Sequence, residues 1–358
     1  MTTTTSVVRL LDQTEPDAPW PGRATDLISA VRTAGLTGRG GGGFPTWRKL
    51  AAVARTRRPV VIGNAAEGEP ASRKDLTLLQ RRPHLVLDGL LLAARAVNAS
   101  RCYLYASPAA AAHARRALAQ RPGDRVSIVE APDTFLAGEE TAVLNAIAGR
   151  RAVPRDRQQP LPQLGFLVQN VETLAHLAQI ARYGADWFRD VGSREAPGTY
   201  LATVSGAVAT PGVYEVPTGT AVDTLLAMAG GVRGHVLVGG YHGTWDSDQS
   251  RGAGVVMALP TGACGLVETA RVMSYLARQS AGQCGPCRNG LPRIADLLGA
   301  LARRQATPDT VRALHTLAGL VTGRGACHHP DASVRLLRST LITFEREVDA
   351  HLRGGCTR

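Results

Sequence analysis

Three cysteines in the second half of the chain have the spacing of metal or redox ligands. Cys284 and Cys287 form a C-x-x-C pair, and Cys327 lies between two later helical segments. The chain has only six cysteines, at uneven positions (102, 264, 284, 287, 327 and 356), so the close pair indicates metal or redox chemistry rather than a secreted disulfide framework. We interpret Cys102, Cys264 and Cys356 as ordinary core or surface thiols.

A glycine-rich segment near the N-terminus could approach an anion closely. GRGGGGFPTWRK (38–49) contains the pattern G-x-G-x-x-G, but a predicted helix precedes it and Phe-Pro follows it. A dinucleotide fingerprint needs a strand before it and a helix directly after it, so that interpretation is excluded. Two alternatives remain: a flexible turn, or an anion-binding loop with Arg39 and Lys49 beside it.

Three further clusters place amides and carboxylates at the ends of predicted elements. GNAAEGEPASRKD (63–75) follows a buried strand, where open α/β sheets bind ligands, and AGEET (137–141) and QNVET (169–173) each begin a helix. Each has a structural alternative: Glu139 and Glu140 also suit a helix N-terminus facing the dipole, and Asn170 also suits a helix cap.

The composition singles out two lysines and argues against nucleic acid as a partner. Of 41 basic residues only Lys49 and Lys74 are lysine, so both are expected where a compact ammonium serves better than a guanidinium fork. The net charge is +12, but the arginines are dispersed and aromatic residues make up only 4% of the chain. Without a basic face interleaved with aromatics, nucleic-acid binding is not expected.

The elements that would position these residues form a β-α-β-α-β alternation, which predicts a parallel sheet covered by helices. The sequence pattern predicts mainly strands from about residue 198 and helices from about residue 265. The helices are predicted near 265–279, 290–304, 308–321 and 333–352. Four regions are therefore expected: an N-terminal extension (1–24), an α/β domain (25–195), a small β-rich module (196–262) and a helical domain (263–358).

No segment of the sequence has the pattern of a membrane span or a signal peptide. The most apolar stretch, Leu85 to Val97, is interrupted by Asp88 and Arg95. The first residues lack a basic region followed by a long apolar run. We expect a cytoplasmic protein, either free or peripheral to a membrane complex.

Taken together and in order, the motifs resemble the NADH-oxidising flavoprotein subunit of respiratory complex I and the related subunits of NAD-linked hydrogenases and formate dehydrogenases. The resemblance covers roughly residues 30 to 352. The matching stretches are GLTGRGGGGFPT, GNAAEGEP, GEETAVLNAIAGRR, NVETLA, SGAVATPGVYEVPTGT and GQCGPCRNG.

The resemblance implies a Rossmann-like FMN-binding α/β domain, a ubiquitin-like β-grasp module of the SLBB type, and a C-terminal helical bundle that holds an iron–sulfur cluster. Glu139 and Glu140 would shape the nicotinamide pocket, and Cys284, Cys287 and Cys327 would ligate the cluster. Flavin and nucleotide contacts would come from Gly38, Arg39, Gly40, Phe44, Lys49, Asn64, Glu67, Glu69, Gly138 and Asn170.

The chain departs from the family pattern at the cluster. Ala281 stands where the family has its first cysteine ligand, which leaves three matched thiols. Three outcomes stay open: a 4Fe–4S cluster with one ligand that is not cysteine, for which His328 or His329 could serve, a 3Fe–4S cluster, or no cluster.

The nicotinamide site departs from the pattern as well. Aromatic residues expected after the loop lysine and in the proline-rich loop fall at Ala52 and Leu161, an expected acidic residue is Ala66, and an expected tyrosine is Phe135. Phe44 is retained.

Two functional hypotheses follow from the resemblance and its departures. The first is an electron-transfer oxidoreductase that passes electrons from NAD(P)H through FMN and the cluster to a ferredoxin-like partner or another redox subunit. The alternative is a degenerate flavin-binding adaptor of a redox complex that does not itself oxidise NADH.

Overall fold

The computed structural model describes residues 8–12, 26–155, 159–232, 234–248 and 254–357 of the chain. The helices are α1 (Leu27–Ala34), α2 (Thr46–Val53), α3 (Lys74–Arg81), α4 (Pro83–Ala96), α5 (Pro108–Ala119), α6 (Glu140–Ile147), α7 (Val171–Arg189), α8 (Val222–Met228), α9 (Gly265–Arg278), α10 (Leu291–Ala302), α11 (Pro308–Val321), α12 (His329–Thr343) and α13 (Glu345–Leu352). The strands are β1 (Val60–Ala65), β2 (Arg101–Ala106), β3 (Ser127–Glu130), β4 (Phe166–Asn170), β5 (Thr199–Gly206), β6 (Gly212–Pro217), β7 (Val236–Val238), β8 (Thr244–Trp245) and β9 (Val255–Ala258).

The first sheet is parallel throughout, in the order β3-β2-β1-β4, as the β-α-β alternation predicts. Strand β1 is buried on both faces. Val61 and Ala65 belong to one apolar core, and Val60 and Ile62 belong to another on the opposite face. Burial on both faces explains why β1 begins with three consecutive apolar residues, Val60 to Ile62, rather than with an alternating pattern.

Two helices of this first region are not predicted by the sequence pattern. Helix α2 begins directly after Pro45, whose fixed φ suits the start of a helix, and α3 begins at Lys74. Both helices are eight residues long. Such short helices have too few turns to show a clear apolar period in the sequence.

The second sheet has the order β6-β5-β9-β7-β8 and is mixed, with β5 and β9 parallel and the other pairs antiparallel. Its apolar core includes Val204, Val216 and Val256, packed with Val222 and Leu225 of α8. The predicted β-rich module is present in this coarse form.

Helices α9 to α13 follow the second sheet and share one apolar core. The last helical segment, predicted as continuous over 333–352, is in fact two helices that meet at Phe344. The backbone of Phe344 leaves helical geometry (φ −108°, ψ 32°), and its ring is fully buried against Gly265, where a side chain would clash. No helix in the described ranges is both long enough and apolar enough to cross a membrane.

Candidate functional site

The carboxyl edge of the parallel sheet gathers residues from distant parts of the chain. Asn64 of β1 lies directly opposite Asn170, the last residue of β4, in the strand register. The Asn64 side-chain amide donates to the Gly138 carbonyl at 2.9 Å, just before α6 begins. A side chain on Gly40 would lie 3.3 Å from Cβ of Asn170, so the glycine-rich loop packs onto the same edge.

Lys74 is the centre of a buried polar network beneath this edge. Its ammonium contacts Asp75 Oδ1 at 2.7 Å, Glu172 Oε2 at 2.9 Å and Asn170 Oδ1 at 3.1 Å. An ammonium has three N–H donors on one nitrogen, and three oxygens surround that nitrogen here. A planar guanidinium could not direct its donors to three acceptors around one point, which explains a lysine in a chain so rich in arginine.

Asn170 has its amide occupied by this network. Its Oδ1 accepts from Lys74 and from the backbone N–H of Glu172 at 3.0 Å, and its Nδ2 donates to Asp75 Oδ2 at 2.7 Å. The side chain therefore caps α7 and fixes the strand end. A flavin contact by Asn170 stays a prediction.

Glu67 and Glu172 complete the buried charge pattern. Glu67 accepts from the Ser72 hydroxyl at 2.5 Å and from the backbone N–H of Asp75 at 3.2 Å, at the start of α3. Burial raises the pKa of both glutamates, the neighbouring Asp75 raises that of Glu67 further, and Lys74 lowers both. For Lys74, burial acts to lower the pKa, but Asp75 and Glu172 outweigh it and the net shift is upward. A charged lysine thus holds α3 and α7 together.

Lys49 has more open surroundings. Its ammonium pairs with Oε1 of Glu140 and lies 3.4 Å from the Val168 carbonyl. The side chain of Glu140 is 38% exposed, so the pair faces solvent at the start of α6. An ion pair with one partner open to solvent is worth less to stability than a fully buried pair, which leaves both groups available to a ligand.

Glu139 occupies the cap position of α6. Its Oε2 accepts from the backbone N–H groups of Thr141 at 2.8 Å and Ala142 at 3.1 Å. This carboxylate matches the helix-cap alternative, and its role toward a nicotinamide stays a prediction.

The glycine-rich loop leaves open space beside Lys49. Gly38 donates to the Phe44 carbonyl at 2.9 Å, which closes the loop, and Phe44 is 47% exposed. An added Cβ on Gly42 or Gly43 would meet nothing within 4 Å. A backbone this open can receive a phosphate, and the ammonium of Lys49 supplies the opposite charge, so the loop fits the phosphate side of FMN.

Arg39 anchors the base of the loop. Its backbone N–H donates to Thr173 Oγ1 at 2.8 Å, and its guanidinium donates to Thr37 Oγ1 at 3.1 Å and to the Pro197 carbonyl at 3.2 Å. Its Nε is buried without a hydrogen-bond partner among the described residues. Burial lowers the pKa of Arg39, and Glu172 counteracts that shift. These contacts orient the loop toward the sheet edge.

Two glycines let the neighbouring loops meet backbone to backbone. A Cβ on Gly68 would lie 2.3 Å from the Phe135 carbonyl oxygen, and one on Gly138 would lie 2.5 Å from the Ala66 carbonyl oxygen. Any side chain at either position would therefore force the loops apart. Both glycines are needed to build the floor of the site.

Glu69 turns toward the second sheet. Its carboxylate accepts from the backbone N–H groups of Ala71 at 3.1 Å and Tyr241 at 2.8 Å. Burial raises the pKa of Glu69 to about 7. The residue joins the first domain to the segment that precedes β8, and a direct cofactor contact stays a prediction.

The three predicted cluster ligands lie together. Cys284 and Cys327 both lie close enough to Cys287 to act on its thiol electrostatically. Burial, with Cys284 and Cys327 adding to it, raises the pKa of the Cys287 thiol to about 12. Thiolates are the ligands that iron–sulfur clusters require, so these residues fit three of the four positions of a 4Fe–4S cluster.

His329 is already engaged, which bears on the open fourth position. Its Nδ1 lies 2.9 Å from Nε2 of His242, its Nε2 lies 2.9 Å from the Leu276 carbonyl oxygen, and the residue is buried. In this arrangement neither ring nitrogen faces a metal, so His329 does not fit as a ligand. His328 is exposed beside Cys327 and remains the histidine alternative.

Phe135 links the nucleotide side of the first domain to the thiol side. Its ring packs edge-on against the ring of His242, with the ring centroids 4.6 Å apart. The centroid of the His329 ring lies 5.7 Å from that of Phe135. Its backbone N–H donates to Gln279 Oε1 at 3.1 Å. The loop that carries Gly138 therefore contacts the end of α9, before Cys284, and the start of α12, after Cys327.

Leu161 does not lie at the carboxyl edge of the parallel sheet. It lines a cavity of about 660 Å³ at the amino ends of β1, β2 and β4, together with Arg101, Arg150 and Arg155. None of the predicted cofactor residues lines this cavity. The position where an aromatic ring was expected is thus on the opposite edge of the sheet from Asn64.

Sequence reasoning missed two groups of residues. Asp75 and Glu172 are as central to the sheet edge as Lys74, and the only sequence signal was their place beside Lys74 and Asn170. Cys264 and Cys356 are not isolated thiols, because the structure brings both to His351. The sequence signal there was the spacing H-x₄-C at the C-terminus.

Models of known protein families match three parts of the chain. Residues 31–179 match the Nuo51 FMN-binding domain, residues 201–235 the SLBB domain, and residues 267–351 the iron–sulfur binding region of NADH-ubiquinone oxidoreductase-F. The order of the three matches is the order of the two sheets and the terminal helices.

Curated relatives span nearly the whole chain. The F subunit of NADH-quinone oxidoreductase in Streptomyces coelicolor is 30% identical over 92% of this chain and 84% of its own length. Its namesake in Escherichia coli is 29% identical over the same shares. Among solved structures, an NAD⁺-reducing NiFe hydrogenase in the H₂-reduced state matches with a TM-score of 0.84 and 31% identity, over 91% of this chain and 62% of that chain.

Proposed function

We propose, on the premise that this chain belongs to the family of NADH-quinone oxidoreductase F subunits, that it transfers electrons from NADH through FMN to an iron–sulfur cluster. It is an NADH dehydrogenase-type flavin oxidoreductase that works as one subunit of a larger complex. The observation that carries the proposal is the convergence of Asn64, Gly138 and the open glycine-rich loop at one sheet edge.

The residues at this edge divide the work of binding. Lys49 and the backbone of the open loop would hold the phosphate side of FMN, and Arg39 orients that loop. Asn64 and the segment Gly138–Glu139–Glu140 would face the flavin and nicotinamide rings. The exposed ring of Phe44 would stack on the adenine of NADH. Bound there, FMN supplies the conversion of a two-electron donor into one-electron transfers.

Cys284, Cys287 and Cys327 would hold the cluster. The contact of Phe135 with His329, two residues after Cys327, supports a short route between the two centres. Three thiolates with Ala281 in the fourth position favour a cluster with one ligand other than cysteine, or a three-iron cluster. The electrons would pass on to another redox subunit or a ferredoxin-like protein.

The finer architecture belongs to the same proposal. The α/β domain would span residues 25–195, the β-rich module 196–262 would be a β-grasp insert, and residues 263–358 would form the helical iron–sulfur domain. The family match over 201–235 and the mixed sheet with α8 support the second of these.

Rapid mixing of the FMN-loaded protein with NADH tests the function. Under anaerobic conditions we expect the flavin absorbance to bleach. We also expect electron paramagnetic resonance of the same samples to show that the cluster has become reduced. In Phe44→Ala we expect the NADH concentration for half-maximal rate to rise roughly 5- to 150-fold, since base stacking is worth about 1–3 kcal/mol. Ile342→Ala, an exposed position on α12, is the matched control.

The adaptor alternative makes a different prediction in the same experiment. An adaptor would bind FMN, but NADH would not bleach it, while a chemical reductant would. That result would overturn the proposed NADH oxidation and leave flavin binding standing. Protein that retains no FMN after the unbound flavin is removed would overturn both.

A further inference from the structure

A second group of metal-ligating side chains lies away from the three cluster thiols. Cys264, His351 and Cys356 place one sulfur, one ring nitrogen and one sulfur within 4.8 Å of one another. Cys264 immediately precedes α9, His351 lies in the last turn of α13, and Cys356 follows that helix. Residues 87 positions apart in the sequence thus meet at one point.

The turn after α13 builds one side of this group. Gly354 adopts the left-handed conformation (φ 78°) and donates to the His351 carbonyl at 3.0 Å, and Gly355 donates to the Ala350 carbonyl at 2.9 Å. This is the hydrogen-bond pattern that ends a helix and reverses the chain. It returns Cys356 to the level of His351.

The histidine is oriented as a ligand would be. His351 is buried, and its Nδ1 lies 2.9 Å from the Leu301 carbonyl oxygen. That contact places the proton on Nδ1 and leaves the Nε2 lone pair facing the sulfur of Cys264, 3.5 Å away. A hydrogen bond from the remote ring nitrogen to a carbonyl is the usual support of a metal-bound histidine.

Cys264 is the residue directly before the first turn of α9, so the rigid start of that helix fixes the position of its backbone. Cys264 and Cys356 are only partly buried, so a metal ion and a solvent ligand have access.

The spacing agrees with tetrahedral zinc. Bonds of about 2.3 Å to sulfur and about 2.0–2.1 Å to nitrogen give a sulfur–nitrogen separation of roughly 3.6 Å across a tetrahedron. The observed 3.5 Å between Cys264 Sγ and His351 Nε2 meets that requirement. Two thiolates with one imidazole select zinc over magnesium or calcium, which prefer oxygen ligands.

We propose that Cys264, His351 and Cys356 bind one Zn²⁺ ion, with solvent as the fourth ligand. The ion would fasten the C-terminal turn to the start of α9, where the chain leaves the second sheet. The site has no part in the flavin or cluster chemistry, so this proposal does not depend on the proposed function.

The test compares metal content among full-length variants purified without oxygen from zinc-supplemented cells. We expect about one zinc per chain in the natural protein and a decrease of about tenfold or more in Cys356→Ser. Cys102→Ser, a half-buried thiol on β2, is the matched control and should retain the zinc. Zinc-edge X-ray absorption should show two sulfurs at about 2.3 Å and one nitrogen at about 2.0–2.1 Å.

Zinc bound by mistake at the cluster thiols is distinguished by Cys284→Ser, which should lose iron and retain zinc. Zinc that disappears in Cys284→Ser but persists in Cys356→Ser would overturn the proposal. So would natural protein that holds no zinc and takes none up from solution, or a disulfide between Cys264 and Cys356 in the anaerobic protein. If Cys356→Ser folds poorly, adding zinc to chelator-treated natural protein should still raise its melting temperature, and no rise would contradict the site.

Discussion

The two lysines of the chain lie near the same sheet edge in opposite surroundings. The side chain of Lys74 is 6% exposed and touches three oxygens, whereas that of Lys49 is 16% exposed and its partner Glu140 is 38% exposed. Composition alone singles out both. The structure separates them into a lysine that holds two helices together and a lysine whose partner is open to solvent.

The comparison teaches that one scarce residue type is retained for two physical reasons. At Lys74, three acceptors surround one nitrogen, which only an ammonium can satisfy. At Lys49, a compact charge on a flexible stem can leave its partner for a phosphate. The first role is structural, and the second is the phosphate binding that we propose for Lys49.

The largest effect is expected from removing the buried lysine. Lys74→Met leaves Asp75 and Glu172 as uncompensated buried charges, which should lower the free energy of unfolding by about 3–5 kcal/mol. Urea unfolding measures it. Lys49→Met, the matched control, should cost less because its partner Glu140 reaches solvent and is not left as a buried unpaired charge. If Lys74→Arg proves as stable as the natural protein, the argument from three acceptors is wrong.

The open lysine should show the reverse pattern. Lys49→Met removes a charged donor to phosphate, worth about 1.5–3 kcal/mol, so FMN affinity should fall roughly 10- to 150-fold. Fluorescence titration of the flavin-free protein measures it. Arg48→Met changes the exposed basic residue next along α2 and should leave FMN affinity within a few-fold. Equal losses in the two variants would mean that Lys49 contributes only general positive charge.

Glu69 should give the smallest effect, through pH. Its pKa rises from 4.5 to about 7 on folding, so between these values the folded chain holds a proton that the unfolded chain has released. The stability it contributes is therefore complete below pH 4.5 and is lost as the pH rises through 7. In Glu69→Gln, the free energy of unfolding should change less between pH 4.5 and 7, by on the order of 1 kcal/mol. An unchanged slope in Glu69→Gln would assign the dependence to other groups.

Part of the fold could be predicted because it depends on local patterns. The parallel sheet follows from apolar strands alternating with helices, and the thiols lie between the helices where the sequence put them. The short helices α2 and α3 and the break at Phe344 could not be predicted. The two helices are too short to show a clear apolar period, and the break depends on the packing of the Phe344 ring on Gly265, which is distant in the sequence.

The candidate site divides in the same way. Strand ends and helix starts have sequence signatures, so Asn64, Glu139 and Asn170 could be named in advance. Their partners could not, because hydrogen bonds such as that from Asn64 to Gly138 span 74 residues.

The sequence by itself determined the order of the elements, the residue types available at the candidate sites and the scarcity of lysine. These features depend on composition and short-range periodicity. Only the tertiary structure decided which lysine is buried, that His329 is engaged, and that Cys264 and Cys356 meet His351. Those outcomes depend on which distant segments pack against each other, and burial and distance in turn set the charge and reactivity of each group.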